Sequence, residues 1–187
     1  MSSLFIPIIL GTAREGRRSE HAARFVLEEI KKRDGIETEL IDVRDFRLPA
    51  TDDTGETEIA KKLSAIAACA DGFIIVSPEY NHGYPGELKM MLEMSDGEYA
   101  KKPIAVCGVS SGWTGGARMV EQLRSVLIDL KAVPILEAVY FAKVEELFNE
   151  QGAITDDSYR GRVAKMFDEL LWYATALKVA REQKTEN

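Results

Sequence analysis

The chain has 187 residues, 45% of them hydrophobic and 29% charged, with 6 prolines and 14 glycines. That composition excludes collagen-like and disordered classes and leaves enough chain to bury a sizeable core. Its 24 basic and 31 acidic side chains give a net charge of −7, which argues against a nucleic-acid binder, because such a protein needs a basic face. Two cysteines, Cys69 and Cys107, are too few for a disulfide scaffold and read as buried thiols. The first apolar run, residues 4–10, is too short to span a membrane. No basic segment precedes it and no small-residue cleavage site follows, as a signal peptide would require. A single domain over residues 1–187, in the cytoplasm, is the expectation.

Residues 4–10 (LFIPIIL) predict a buried strand, paired mostly after Pro7, since proline cannot donate to a ladder. Ser19 is a plausible N-cap for a helix in which Ala22, Phe25, Val26 and Ile30 share a face, closed by Gly35. Residues 36–43 are more polar, as an edge strand would be. A second helix buries Ile59, Leu63, Ile66 and Ala70, and residues 73–77 (FIIVS) give the third strand. Pro85 fits the first turn of a short helix carrying Leu88, Met91 and Leu92. Residues 103–109 form a fourth strand. A helix from about Gly116 follows, with Met119, Leu123, Val126, Leu127 and Leu130 on one face. Residues 133–141 supply the fifth strand. The last helix aligns Val163, Met166, Phe167, Leu170, Leu171, Ala174 and Leu177. Strands separated by helices imply an α/β fold with a parallel sheet covered on both faces. Ligands of such sheets bind beyond the carboxyl ends of the strands, which directs attention to the loops at 11–19, 78–86 and 110–116.

The first loop, Gly11-Thr-Ala-Arg-Glu-Gly-Arg-Arg-Ser19, carries three arginines against Glu15. Free N–H groups at the following helix start suit a phosphate. Thr12, Ser19 and the fork of Arg14 can complete the cradle. Neither a P-loop nor the Gly-x-Gly-x-x-Gly fingerprint is present. The second loop, Ser77-Pro-Glu-Tyr-Asn-His-Gly-Tyr-Pro-Gly86, has a backbone fixed by Pro and Gly, fit either to meet a planar ligand's edge or to make a rigid turn. His82 reads as a positional hydrogen bonder before an acid or base, and no metal-ligand cluster forms around it or His21. Gly108-Val-Ser-Ser-Gly112 satisfies the nucleophile-elbow pattern, but no histidine follows Ser110, so a hydrolase triad lacks its base in the usual order. Ser110, Ser111 and Gly112 then read as a small-residue shelf, with Trp113 either covering it or anchoring a surface.

Taken together, the loops resemble the NAD(P)H-dependent FMN reductase family, whose relatives include quinone, chromate and azo-dye reductases. The matching segments are Gly11-Thr12-Ala13-Arg14 with Ser19, the block from Ser77 to Lys89, and Ser111-Gly-Trp-Thr-Gly-Gly-Ala117. Asp42-Val-Arg-Asp45 with Leu48-Pro49 also matches. The likeness runs from residue 8 to about 130. Where the family pattern has Asn and then Asp-Trp, this chain has Met90, Glu93 and Met94.

The resemblance implies a flavodoxin-like three-layer sandwich with a five-stranded parallel sheet in the order 2-1-3-4-5. It implies FMN as cofactor and NADPH as hydride donor, with a small acceptor such as a flavin or quinone reduced by ping-pong exchange. Thr12, Arg14 and Ser19 would hold the phosphate, with Arg18 or Arg17 beside them. Pro78, Glu79, Tyr80, Asn81 and His82 would meet the isoalloxazine, largely by backbone, and Ser110, Ser111 and Gly112 would lie along its other side. No side chain is assigned as a catalytic acid or base. A homodimer or homotetramer is implied, with Leu88, Met91, Met94 and Trp172 as candidate contacts and no membrane partner; Met90, Met91 and Met94 fill either a core or such a contact rather than form a cofactor box. The competing readings are a flavodoxin-type electron carrier, whose phosphate loop is usually hydroxyl-rich rather than arginine-rich, and a non-flavin phosphosugar or nucleotide sensor. The Glu145-Glu146 pair reads as solvated.

Overall fold

The computed structural model describes residues 3–47, 56–95 and 97–183; Leu48 and Pro49 lie outside them. Strand β1 forms as two pieces, Leu4–Phe5 and Ile8–Leu10, parted at Pro7, which has no N–H to give. The break leaves little backbone unsatisfied. The Ile6 carbonyl accepts from Thr38 Oγ1 at 2.8 Å, and the Pro7 carbonyl accepts from the Ile74 amide at 3.1 Å. Strand β2 breaks in step, into Ile36–Glu37 and Leu40–Asp42. Pairing therefore continues on both sides of Pro7.

Three unbroken strands follow: β3 (Phe73–Pro78), β4 (Pro103–Val109) and β5 (Val133–Phe141). All pairs are parallel and the order is β2-β1-β3-β4-β5, the flavodoxin-like 2-1-3-4-5 arrangement. Alternate residues point to opposite faces. Ile8, Leu10, Ile74, Val76 and Cys107 join one core with helices α1 (Ser19–Ile30) and α6 (Ser158–Glu182). Ile9, Phe73, Ile75, Ile104 and Val106 join the other, with α2 (Glu58–Cys69), α3 (Gly86–Leu92) and α4 (Ala117–Asp129). A one-turn helix, α5 (Val144–Leu147), follows β5.

Several expectations shift. Ser19 is the first residue of α1 and Arg18 occupies the cap. Pro85 is the residue before α3, one position earlier than expected. Helix α2 buries Leu63, with Ala70 just past its end, as expected, but Ala60 and Ala67 are also fully buried while Ile59 and Ile66 are only partly so, and Thr57 Oγ1 accepts from the Ala60 amide at its start. Cys107 is buried but Cys69 is exposed, so only one thiol belongs to the core. Leu88, Met91 and Met94 are buried within this chain's own second core and cannot be the contacts of another subunit. Trp172 alone of those candidates is exposed.

The amino-terminal edge of the sheet is closed by charge. Buried Asp71 accepts from the Phe5 amide at 3.1 Å, Lys178 Nζ at 2.9 Å and Arg181 Nη2 at 3.2 Å. Buried Lys102 donates to the carbonyls of Ala67 and Ala68 at the end of α2. Among the described residues no helix is long and apolar enough to cross a membrane.

Candidate functional site

The carboxyl ends of β1, β3, β4 and β5 open onto one cleft of about 260 Å³. Residues 14–19 form one wall and Pro78, Glu79 and Tyr80 another. Val109, Ser110 and Ser111 face them, with Val144 and Glu145 beyond β5.

Ser19 is the most informative residue. It is only 3% exposed, it lines the cleft, and its Oγ is buried with no hydrogen-bond partner among the described residues. Buried hydroxyls are almost always paired, so this one is poised for a ligand. It sits at a helix start, where backbone N–H groups are unsatisfied and the dipole favours an anion. Arg18 is exposed beside it and makes no ion pair or side-chain hydrogen bond among the described residues. The Arg14 guanidinium lies 5.7 Å from the centre of the Tyr80 ring and has no carboxylate partner among the described residues. The arrangement can therefore take a dianion at one end.

Arg17 behaves differently although it is next in sequence. Its side chain is 3% exposed and faces Asp42 and Glu20. Hydrogen bonding to Asp42 holds its pKa above the ordinary arginine value, against the desolvation of burial. Burial disfavours the Asp42 carboxylate, but hydrogen bonds from Arg17 and the Arg44 amide outweigh it and keep the carboxyl below its usual range.

Thr12 is fully buried and lies behind the cleft wall. Its hydroxyl meets Tyr80 Oη at 3.1 Å and Glu87 Oε1 at 3.0 Å. Glu87 also accepts from the Ala13 amide at 2.9 Å. Burial works against this carboxylate too, yet these hydrogen bonds hold it below the ordinary range. Thr12, Tyr80 and Glu87 thus bolt the first loop to the second.

In the second loop, Tyr80 and Gly83 exchange both backbone hydrogen bonds, at 2.8 and 3.0 Å, around Asn81 and His82. Both central residues have positive φ, 49° and 72°, which makes the loop a tight I′-type hairpin turn. The Tyr80 amide is consumed by this turn, and the Glu79 amide by the Val109 carbonyl. The amides of Asn81 and His82 donate to no group among the described residues. Both residues are exposed and lie outside the cleft walls. The Glu79 carboxylate accepts from the Arg118 and Met119 amides at 3.2 and 3.3 Å, capping α4.

The third loop turns back tightly on β4. A Cβ on Gly108 would lie 2.5 Å from the Gly115 carbonyl oxygen, so only glycine permits this return. Ser110 donates to the Gly112 carbonyl at 3.1 Å. Ser110 and Ser111 line the cleft, Gly112 does not, and Trp113 is 82% exposed outside it.

The structure therefore gathers Arg14, Arg18, Ser19, Pro78, Glu79, Tyr80, Ser110 and Ser111 around one space, and sets Thr12, Asn81, His82 and Gly112 just behind or beyond it. Sequence reasoning missed Glu87, Val109, Val144 and Glu145. Glu145 is exposed, as expected, and also stands on the far wall. The rule that sites lie at the carboxyl ends of the strands would have found it if carried on to the fifth strand.

Over residues 6–146 the chain matches the model of the family described as NADPH-dependent FMN reductase. It is 26% identical over 180 residues to an NADPH azoreductase of Bacillus sp. (strain OY1-2), spanning 94% of this chain and 96% of that relative. It is 31% identical over 145 residues to an NAD(P)H-dependent FMN reductase of Schizosaccharomyces pombe, spanning 72% of each. Among solved structures, the flavoenzyme NAD(P)H:(acceptor) oxidoreductase FerB from Paracoccus denitrificans superposes with a TM-score of 0.79 at 22% identity. That match covers 91% of this chain and 98% of the other and speaks for the fold.

Proposed function

The chain belongs to the NADPH-dependent FMN reductase family, and from that premise we propose that its cleft holds FMN and passes reducing equivalents from NADPH to a small acceptor such as a flavin or quinone. The observation that carries this reading is the buried, unpartnered Ser19 hydroxyl beside uncommitted Arg18 at the start of α1. Together they ask for a phosphate. FMN, when bound, supplies a two-electron carrier that takes hydride from NADPH and releases electrons to the acceptor in a ping-pong exchange.

The residues of this chain bind and orient. Ser19, Arg18, Arg14 and the first amides of α1 take the phosphate. Pro78, Val109 and Val144 offer apolar surface to a flat ring, with Ser110 and Ser111 along its edge. In this reading the Asn81 and His82 amides, held outward by the turn, supply the backbone contact expected of the second loop. Thr12, Glu79 and Glu87 act from behind, fixing the loops. No side chain is required as proton donor.

We place the reaction in the cytoplasm, in keeping with two unpaired cysteines, and in a homodimer or homotetramer. The test is an absorbance spectrum of the purified protein before and after incubation with FMN and desalting, followed by anaerobic NADPH. Retained flavin bands that bleach with NADPH are expected. Bands that bleach only with dithionite would favour an electron carrier. No retained flavin would leave the first loop as a bare phosphate site and overturn the assignment.

A further inference from the structure

Two arginines, Arg17 in the cleft wall and Arg44 beyond β2, hold the phosphate loop by its carbonyls. Arg17 Nη1 donates to the Thr12 carbonyl at 2.6 Å. Arg44 Nε donates to the Ala13 carbonyl at 3.2 Å, and Arg44 Nη2 to the Arg14 carbonyl at 2.7 Å. Three successive carbonyls are thus held on guanidinium groups. Arg17 has nothing left to give: Nη1 also donates to Asp42 Oδ1, Nη2 to Asp42 Oδ2 and Glu20, and Nε to Glu20. All five of its donors are used.

The chemistry of the loop explains why this matters. In a trans peptide the C=O and N–H point in opposite directions. A loop of this kind can present either carbonyl oxygens or amide hydrogens to an anion, and the difference is attraction against repulsion. Pinning the Thr12, Ala13 and Arg14 carbonyls removes three acceptor dipoles from the phosphate's surroundings. Of the amides that follow them, Ala13 gives its hydrogen to Glu87 and Arg14 gives its own to Thr12 Oγ1 at 3.3 Å. The Glu15 amide is the first without an acceptor among the described residues, and it begins the stretch that leads to Ser19.

Resting on the FMN reading above, we infer that Arg17 and Arg44 are positioning residues for the phosphate, which act by fixing the peptide planes of residues 12–15 and not by touching the anion. Asp42 links the two, because it accepts from Arg17 and from the Arg44 amide at 3.0 Å. The exit of β2 is thereby coupled to the phosphate loop of β1. Arg18, one residue on from Arg17, is the direct ligand.

The experiment compares Kd for FMN and for riboflavin, which lacks the phosphate, by flavin fluorescence quenching at several salt concentrations, alongside the melting temperature. The variants are Arg17→Lys, Arg44→Gln and Arg18→Gln. Arg17→Lys keeps the charge but loses the planar fork. It is expected to weaken FMN roughly tenfold, to leave riboflavin within about twofold, and to retain the wild-type salt dependence. Arg44→Gln, at an exposed side chain, is expected to give a similar loss confined to FMN, and carries the test if Arg17→Lys does not fold. Arg18→Gln should also lose FMN selectively, with a flatter salt dependence because a screened contact is gone. Wild-type FMN affinity in both Arg17→Lys and Arg44→Gln overturns the inference. So does an equal loss of FMN and riboflavin that follows a lower melting temperature. A wild-type chain that binds neither flavin overturns the FMN reading itself.

Discussion

The two ends of the sheet are built from the same kinds of residue and are put to opposite uses. At the amino-terminal edge, Asp71, Lys102 and Lys178 are paired or hydrogen-bonded, and Arg181 joins them through the Lys101 carbonyl at 2.9 Å and through Asp71. At the carboxyl edge, beside the fully paired Arg17, the exposed Arg18 guanidinium and the buried Ser19 hydroxyl have no partner among the described residues. Residue type does not separate a site from a strut. What separates them is whether the donors are already satisfied, since a buried polar group with a partner is structure and one without is an invitation.

The sharpest way to break this comparison is Asp71→Ala. It leaves the Phe5 amide without its acceptor and takes the buried carboxylate away from Lys178 and Arg181, and removal of one partner from such a cluster costs about 3 kcal/mol. Urea unfolding should show that loss while the FMN Kd of the folded protein stays within about twofold. A parallel fall in FMN affinity would mean that the two ends are not independent.

A smaller effect comes from Lys102 and is visible through pH. Burial, helped by Arg181, lowers its pKa from 10.5 to about 8, with Asp71 opposing. Between those values the unfolded chain binds the proton that the folded chain has released, so stability rises as pH climbs through the window. Against Lys102→Met, the wild type should gain roughly 2 kcal/mol from pH 8 to 10.5, read from urea midpoints at each pH. A flat difference would mean that Lys102 keeps its ordinary pKa.

The same distinction marks how far the sequence could be read. Strands β4 and β5 appear with the expected bounds, because apolar runs between turn residues leave little choice of period. The loops at the carboxyl ends were legible from topology alone. Arg17 and Arg18 were not separable, since adjacent arginines differ only in which way the loop turns them, and that is decided by Asp42 on another strand. Glu87 looked like an ordinary acidic residue in a helix's first turn, although its partners lie 74 and 75 positions away. Leu88, Met91 and Met94 offered an apolar face that periodicity could not assign to core or to partner. Burial in the second core decides it.

Ser19 illustrates the limit best and gives the smallest effect. A serine at a helix start satisfies the sequence pattern for an N-cap, yet here Arg18 holds that position and the serine hydroxyl caps nothing. A capping serine would cost about 1 kcal/mol on replacement by alanine. An unmet buried hydroxyl should do the reverse, because its removal relieves desolvation and alanine is the better helix former. Ser19→Ala without flavin is therefore expected to be as stable as the wild type or more stable by up to about 1 kcal/mol. Its FMN affinity should fall roughly fivefold, the value of one net hydrogen bond. Thermal melts with and without FMN read both signs in one experiment. Opposite signs place the hydroxyl in the ligand's service, and a loss of stability in both would return it to the helix cap.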